Sequence, residues 1–376
     1  MTGKIKKAFA KKAKKEDVQF EIFSDMDGVL TDFDTHAKKH DKFNEKGQPK
    51  WEELDFQWWR TMPAYDGAKE FFGELKKRGR TRFLSAPIMN AGCFRGKAEW
   101  VKEFLRNRFG LLNLVIARAE DKNLLARPHH ILVDDRQKDI DAWVAAGGIG
   151  ILHKGDYADT LRRIDEAMEK YRRENDPSLP PPPPKIEEPG KVKVFVGTNG
   201  VLADFQGHLE SQGKIDANGK TKWTELDPGW WKTIPAYEGA REFYNALRDA
   251  AKDPESGKPG QVRFLTGPVP HPDSFEGDAE WTMGFRSEAR KFALLDILIC
   301  RSKDKMLLAR PNNILVDDRP ANVDAWIAAG GIGILHKGDF ADTLTRVQAA
   351  IHDYQHPKKT VCPRPLLGLP PKPGRK

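Results

Sequence analysis

The feature that most constrains the fold is an internal repeat nearly half the chain long. The segment FSDMDGVLTDF at 23–33 returns as FVGTNGVLADF at 195–205, and ARPHHILVDDR at 126–136 returns as ARPNNILVDDR at 309–319. The offset is 172 residues for the first pair and 183 for the second, so short insertions separate the matching blocks. A repeat of this length is far longer than the unit of a solenoid. The sequence therefore predicts two copies of one whole domain.

The segment between the two copies is rich in proline. Five consecutive prolines, 180–184, favour an extended polyproline II spacer, and 376 residues suit about two domains. The repeats, the spacer and the chain ends divide the sequence into five segments. They are a basic N-terminal arm (1–17), a first domain (18–174), a proline-rich linker (175–190), a second domain (191–355) and a tail rich in proline and lysine (356–376).

Composition argues against several classes of protein. There is no run of 18 apolar residues, so we expect no membrane span. The basic N-terminus lacks the apolar stretch of a secretory signal. The three cysteines, Cys93, Cys300 and Cys362, are odd in number and widely spaced, which favours neither a disulfide framework nor a zinc site. We therefore expect a cytoplasmic protein.

The formal net charge of +8 is partly concentrated at the two ends of the chain. Basic ends either bind nucleic acid or remain solvated tails. Phe9 is the one aromatic residue among the N-terminal lysines, so a platform for stacking bases is not indicated. We expect a solvated arm, and nucleic-acid binding through the basic ends is the alternative.

Within each copy, short apolar segments alternate with amphipathic ones. In the first copy the pattern predicts strands over 18–24, 81–85, 112–117, 130–135 and 149–153, and helices over 64–79, 96–110 and 137–148. Such alternation predicts the α/β class, with two tandem Rossmann-like domains that each hold a parallel sheet between helices. Ligands of these sheets bind at the carboxyl ends of the strands.

Two acids follow directly after the first predicted strand. Asp25 and Asp27 flank one residue, alternation along an extended segment points them the same way, and Gly28 allows a sharp turn. Two such carboxylates can hold a hard cation, or can act as a nucleophile and a proton carrier. An EF-hand loop does not fit, because its glycine lies at the sixth position and a helix precedes it. An acidic turn without chemistry is the alternative.

Other polar residues lie at the ends of later strands. Ser85 ends the second strand, Asp134 and Asp135 end the fourth, and Lys122 lies between the two motifs. Two adjacent acids repel each other unless a cation or a lysine compensates their charge. Taken together in this order, these residues predict one site that holds a divalent cation and a phosphate group.

These motifs resemble those of the haloacid dehalogenase-like (HAD) phosphohydrolases. DMDGVLTD matches the first motif of that family, FLSAP the second, Lys122 the third and ILVDD the fourth, and the resemblance covers about 18–172 and again 190–355. Within the family, the run from SAP to ILVDDR looks most like the 5′(3′)-deoxyribonucleotidases. The phosphatase domain of the polynucleotide kinase-phosphatases has a similar DDR ending and is the nearest rival.

The resemblance implies a role for each matching residue. Asp25 would attack phosphorus and form an aspartyl phosphate, and Asp27 would protonate the leaving oxygen and then activate water. Ser85 and Lys122 would hold phosphoryl oxygens. The family's cofactor is Mg²⁺, which implies ligands from Asp25, from the backbone carbonyl of Asp27, and from Asp134 or Asp135; the choice within that pair stays open.

The second copy keeps some of these residues and lacks others. Thr266, Lys305, Asp317 and Asp318 match residues of the first copy, but Gly197 and Asn199 stand in place of the two acids. Glycine has no side chain to attack with, and asparagine cannot carry a proton. The sequence therefore predicts a pseudo-enzyme domain that pairs with the first domain within one chain. An active second domain that recruits another base is the alternative.

Between Asp32 and Pro63 the first copy carries an insert that resembles the small cap of this family, and the second copy repeats it. Trp51, Trp58 and Trp59 lie in the insert and Phe33 lies beside it. Aromatic side chains can stack a nucleobase, or they can pack the cap against the domain.

Three classes of function follow from these features. The favoured one is an Mg²⁺-dependent phosphomonoester hydrolase whose small phosphorylated substrate is a (deoxy)nucleoside monophosphate. The second is a phosphatase that processes nucleic-acid ends, and the third is a scaffold or binding protein with a vestigial active site.

Overall fold

A computed structural model describes residues 18–175, 191–253, 256–258, 260–286 and 290–356. The predicted N-terminal arm lies outside the described residues, as do nearly all of the predicted linker and tail. No helix of the described part is both long and apolar enough to cross a membrane.

Within the residues that the structure describes, each copy contributes five strands. In the first copy these are β1 (Glu21–Ser24), β2 (Arg80–Ser85), β3 (Leu114–Ile116), β4 (His130–Asp134) and β5 (Ile149–Leu152). In the second copy they are β6 (Lys193–Gly197), β7 (Gln261–Thr266), β8 (Ile297–Ile299), β9 (Asn313–Asp317) and β10 (Ile332–Leu335).

The ten strands form one continuous sheet in the order β10-β9-β6-β7-β8-β3-β2-β1-β4-β5. All neighbours within a copy are parallel, and the two copies meet where β3 pairs with β8 in the antiparallel sense, Ile116 opposite Ile299. The mixed α/β class expected from the sequence is confirmed. The alternation of segments did not show that the two copies would share one sheet.

Helices follow the strands in the same order in both copies. In the first copy they are α1 (Phe33–Lys39), α2 (Phe56–Arg60), α3 (Ala68–Arg78), α4 (Ala91–Leu105), α5 (Gln137–Ala145) and α6 (Tyr157–Glu174). In the second copy they are α7 (Phe205–Ser211), α8 (Pro228–Lys232), α9 (Ala240–Ala250), α10 (Asp273–Phe285), α11 (Pro320–Ala328) and α12 (Phe340–Gln355).

The predicted helix over 96–110 differs most from the structure. The helix expected over 96–110 is α4, which starts after Asn90, whose side chain accepts a hydrogen bond from the backbone N–H of Gly92. It stops at Leu105 because Arg106 adopts a left-handed conformation with φ 52°. Phe109, which falls within the predicted range 96–110, therefore lies beyond α4 in a short 3-10 turn and is 56% exposed.

The sheet is buried on both faces, and alternate residues of each strand enter opposite core layers. Ile22 and Phe83 belong to one layer, and Phe23 and Leu84 belong to the other. Both layers contain residues of both copies. Burial on both faces explains why the strands read as continuous apolar runs. The hydrophobic core thus extends across the junction between the copies.

The insert between β1 and α3 packs against α4. A Cβ atom added at Gly96 of α4 would lie 2.5 Å from Cβ of Trp59 in α2, so the glycine allows a close approach of the two helices. Trp58 and Trp59 are buried, whereas Trp51 is 45% exposed. The ring of Phe33 stacks on Trp51 and Trp59 at centroid distances of 5.8 and 5.9 Å. Most of these aromatic side chains therefore pack the insert onto the domain.

Candidate active site

The first acid of the predicted site lies at the carboxyl end of β1. Asp25 is 5% exposed, and its backbone N–H donates to the carbonyl of Val133 in β4 at 2.9 Å. The chain then turns at Gly28, which has φ +83°. A Cβ atom at Gly28 would lie 2.2 Å from Oδ2 of Asp135, so this turn also makes room for the acid at the end of β4.

Lys122 joins the acids of two strands. Its side chain is 2% exposed, and its Nζ lies 3.1 Å from Oδ1 of Asp25 and 2.7 Å from Oδ2 of Asp134. A third carboxylate, that of Asp139 in α5, lies 3.8 Å away. Lys122 is carried by a 3-10 segment, Ala119–Leu125. The structure therefore brings Asp25, Lys122 and Asp134 together at one edge of the sheet.

Three carboxylates are arranged so that they could share a cation. Asp25, Asp134 and Asp135 each offer an oxygen atom, and these atoms lie within 4.8 Å of one another. Carboxylate oxygens are the ligands that Mg²⁺ prefers in proteins. The donor set therefore fits a magnesium ion. The carboxylate of Asp27 is not among these three and faces other partners.

Lys97 is a site residue that the sequence reasoning missed. It lies on α4, is 1% exposed, and its Nζ donates to Oδ2 of Asp27 and to Oγ of Ser85, both at 2.6 Å. The other oxygen of Asp27 accepts from the hydroxyl of Thr31 at 2.9 Å. The Nζ atom also lies 4.4 Å from the ring centroid of Trp59.

A sequence signal for Lys97 did exist. Cys93 lies four residues before it, and Trp100 and Val101 lie three and four residues after it, and all three are apolar. A lysine at this spacing falls on the buried face of the helix. A buried lysine needs an acid or another polar partner, and Asp27 and Ser85 supply them.

The site carries more negative than positive charge. Among the described residues, five carboxylates face three cationic side chains, which leaves two negative charges when all are ionised. They are Asp25, Asp27, Asp134, Asp135 and Asp139 on one side and Lys97, Lys122 and Arg136 on the other. A divalent cation would balance this excess.

The pKa values follow from burial and from this charge excess. Burial raises the pKa of Asp25 to about 7, and the neighbouring Asp134 and Asp27 add to the rise while Lys122 opposes it. Burial and the charge of Asp25 raise the pKa of Asp135 to about 6. Burial opposes the charge on Lys122, but Asp25 and Asp134 outweigh it and raise the pKa of the lysine. The lysine is therefore charged, and the acids are poised to lose protons when a cation binds.

The second copy keeps one ion pair at the equivalent edge. Lys305 Nζ lies 2.7 Å from Oδ2 of Asp317, as Lys122 does from Asp134. A small polar cavity of about 40 Å³ lies beside this pair, lined by Thr198, Asn199, Leu265, Thr266, Gly267, Ser302, Lys305, Asp317, Asp318, Arg319 and Asn322. Gly197 and Asn199 leave this edge without the two acids of the first copy.

The two sites also differ in the sign of one buried charge. Asp278 of α10 takes the place of Lys97, and its Oδ2 accepts a hydrogen bond from Thr266 Oγ1 at 3.1 Å. Asp278 is 3% exposed, and burial raises its pKa to about 7. Asn322 replaces Asp139 and donates to Asp317 Oδ1 at 2.9 Å. The second copy thus keeps Asp317 and Asp318 but has no counterpart of Asp25, Asp27 or Asp139, nor of the buried Lys97.

Comparisons with known proteins add no family to this description. No protein-family model matches the chain, and no curated protein matches it significantly. A chain in a structure of the Pnkp1/Rnl/Hen1 RNA repair complex is 12% identical, with 86% of this chain and 98% of that chain covered and a TM-score of 0.25. At this TM-score the likeness carries no argument about fold or function.

Proposed function

We propose that the first copy hydrolyses phosphomonoesters with Mg²⁺ as its cofactor, and that its substrates are (deoxy)nucleoside monophosphates. The observation that carries the proposal is the group of three carboxylates, from Asp25, Asp134 and Asp135, within 4.8 Å of one another beside the buried Lys122. Such a group suits a reaction in which negative charge builds up on a phosphoryl group.

In this proposal Asp25 is the nucleophile. A carboxylate oxygen of Asp25 forms a bond to phosphorus as the bond from phosphorus to the ester oxygen breaks, which gives an aspartyl phosphate and an alcohol. Lys122 lies 3.1 Å from Asp25 and offsets the repulsion between the carboxylate and the phosphoryl group. Lys122 and Ser85 also hold the phosphoryl oxygens in this proposal, and Lys97, which contacts Ser85, offers a further donor from α4.

Asp27 is the proton carrier in this proposal. It gives a proton to the leaving oxygen, then takes one from the water that attacks the aspartyl phosphate, so that inorganic phosphate is released and Asp25 is restored. Thr31 and Lys97 bond both carboxylate oxygens of Asp27 and fix its orientation. This arrangement keeps Asp27 apart from the three carboxylates that would hold the metal.

Magnesium would be held by Asp25, Asp134 and Asp135, with the backbone carbonyl of Asp27 as a further ligand. When bound, it would withdraw charge from the phosphoryl oxygens. The five carboxylates of the site compete for three cationic side chains, which supports the need for a divalent ion.

The nucleotide preference rests on the resemblance to the 5′(3′)-deoxyribonucleotidases. Two of the three tryptophans in the insert are buried, and Trp51 keeps 45% of its surface exposed. Trp51 is therefore the tryptophan of the insert that remains available to a base.

The first test measures phosphate release from nucleoside monophosphates and from oligonucleotides with 3′- or 5′-phosphates, with Mg²⁺ and with a chelator. We expect Mg²⁺-dependent release from the monophosphates, and loss of at least a thousandfold in turnover in Asp25→Asn. Asp318→Asn, which makes the same chemical change at an acid of the second copy, is the control and should retain turnover.

Other results would contradict parts of the proposal. Release from oligonucleotides alone would replace the nucleotide substrate by nucleic-acid ends. Turnover by a folded Asp25→Asn protein, or full activity with a chelator present, would contradict the mechanism. No release from any substrate would favour a binding or scaffold protein.

A further inference from the structure

Two arginines of the second copy contact the segment that carries Lys122. Arg263 lies on β7 and is 5% exposed. Its Nε donates to Oδ2 of Asp121 at 2.7 Å, and its Nη1 donates to Oδ1 of Asp296 at 2.7 Å. Asp121 is itself 5% exposed and precedes Lys122 in the chain. A buried carboxylate next to the proposed phosphate-binding lysine is thus neutralised from the other copy.

The second arginine binds the backbone of the same segment. Arg310 is 2% exposed, and its Nη2 donates to the carbonyl oxygens of Asn123 and Ala126, both at 2.9 Å. The two arginines therefore hold residues on both sides of Lys122. Side-chain and backbone contacts together fix the path of the segment from 121 to 126.

The segment depends on such contacts because of its own geometry. Ala119–Leu125 is a 3-10 stretch, which has poorer internal hydrogen bonds than an α-helix. Its lysine must nevertheless keep Nζ within 3.1 Å of Asp25 and 2.7 Å of Asp134. A shift of about 1 Å in such a group can cost a hundredfold in rate.

We propose that Arg263 and Arg310 are positioning residues for Lys122, so that the second copy completes the site of the first. This inference rests on the proposed phosphatase function for its kinetic consequence. The second copy, which has no nucleophile, would then take part in the reaction by positioning Lys122. This role does not need the acids that the second copy lacks, because the two arginines lie away from the sheet edge where those acids are missing.

The pseudo-symmetry of the chain supplies a matched set of contacts without chemistry. Arg82 of β2 donates to both carboxylate oxygens of Asp304, at 3.1 and 3.0 Å, and Asp304 precedes Lys305. Arg127 donates to the carbonyl oxygens of Met306 and Ala309, at 3.0 and 2.7 Å. Each copy thus holds the lysine segment of the other, but only one of those segments faces a nucleophile.

The test compares Arg263→Gln with Arg82→Gln in the full chain. Both variants remove one buried cross-copy pair, so both should lower thermal stability to a similar extent. We expect kcat to fall at least tenfold in Arg263→Gln and to change less than twofold in Arg82→Gln, when both are assayed well below their unfolding temperatures. In a Lys122→Met background, Arg263→Gln should cause no further loss, because the two residues act through one group.

A second measurement does not depend on activity. Amide hydrogen exchange should speed up over 119–126 in Arg263→Gln and over 302–309 in Arg82→Gln. If the parent protein releases no phosphate but exchange changes in this pattern, the positioning contact stands and the phosphatase proposal fails. If the parent is active and both variants lose equal kcat, or folded Arg263→Gln loses none, the positioning role is wrong.

Discussion

At the scale of the residue, one position shows how far the two copies have diverged. Lys97 and Asp278 lie at matching places on α4 and α10, each next to the hydroxyl of a residue that ends a strand. Lys97 is paired with the carboxylate of Asp27 at 2.6 Å. Asp278 faces Thr266 and the more distant charge of Lys305 instead. A buried acid with so little compensation should destabilise the fold whenever it is ionised.

Asp278→Asn should therefore stabilise the protein at alkaline pH. The folded-state pKa of Asp278 is raised from 3.8 to about 7 by burial, so the folded protein keeps a proton that the unfolded chain has released. The contribution of Asp278 to the free energy of unfolding must then fall as pH rises from about 4 to 7. Removing this acid should raise the unfolding free energy by up to roughly 4 kcal/mol at pH 8 and by less at pH 5.

Urea unfolding at pH 5 and pH 8 measures this effect. The amide oxygen of the new asparagine can still accept the hydrogen bond of Thr266, so the comparison isolates the charge. Asp353→Asn is the control, because the carboxylate of Asp353 is 77% exposed. A gain of equal size at both pH values would show that the charge of Asp278 is not the cause.

At the scale of the element, the turn after the first strand of each copy leaves room for the acid that follows another strand of the same copy. Gly28 and Gly200 both have φ +83°. A Cβ atom would lie 2.2 Å from Oδ2 of Asp135 at the first glycine and 2.3 Å from Oδ2 of Asp318 at the second. The two turns are therefore equally intolerant of a side chain, but only the first adjoins the proposed metal site.

We predict that Gly28→Ala and Gly200→Ala lower stability alike, by about 1–2 kcal/mol each, because both force an L-residue into the left-handed region. Gly28→Ala should also displace Asp135, so that the Mg²⁺ concentration for half-maximal phosphate release rises at least fivefold. Titration of activity with Mg²⁺ checks this difference. Equal magnesium requirements in the two variants would remove Asp135 from the metal site.

At the scale of the whole molecule, the two copies share a sheet, two core layers and buried charge pairs. The antiparallel pairing of β3 with β8 closes what would otherwise be an exposed edge in each half. The guanidinium groups of Arg82 and Arg263 are almost wholly buried against acids of the other copy. Separation of the halves would expose apolar surface and leave buried charges without partners, which is costly.

Residues 1–175 and 191–376, expressed together as two separate chains, should therefore co-purify and release phosphate. Residues 191–376 alone should release none, since Gly197 offers no nucleophile. Residues 1–175 alone should unfold at a lower temperature than the full chain and should release phosphate more slowly. Gel filtration, thermal melts and phosphate release measure these outcomes. If the first half alone matches the full chain in both stability and kinetics, the second copy contributes nothing to the first.

The sequence by itself determined the duplication, the α/β class and the candidate residues at strand ends. These follow from local patterns, because apolar periodicity and the order of motifs are readable along the chain. The sequence also allowed us to predict that Asp25, Lys122 and Asp134 lie close together, since the carboxyl ends of parallel strands share an edge. The sequence also contained a signal for Lys97, because this lysine is a charged residue on a helix face whose other residues are apolar.

Only the tertiary structure decided what joins the two copies. The pairing of β3 with β8 and the contacts of Arg263 and Arg310 with the Lys122 segment link residues more than 140 positions apart. The sequence does not show which acid an arginine in a strand will contact, or which carbonyl an arginine before a proline will contact. Those partners are set by how two folded surfaces fit, and that fit depends on packing across the whole sheet.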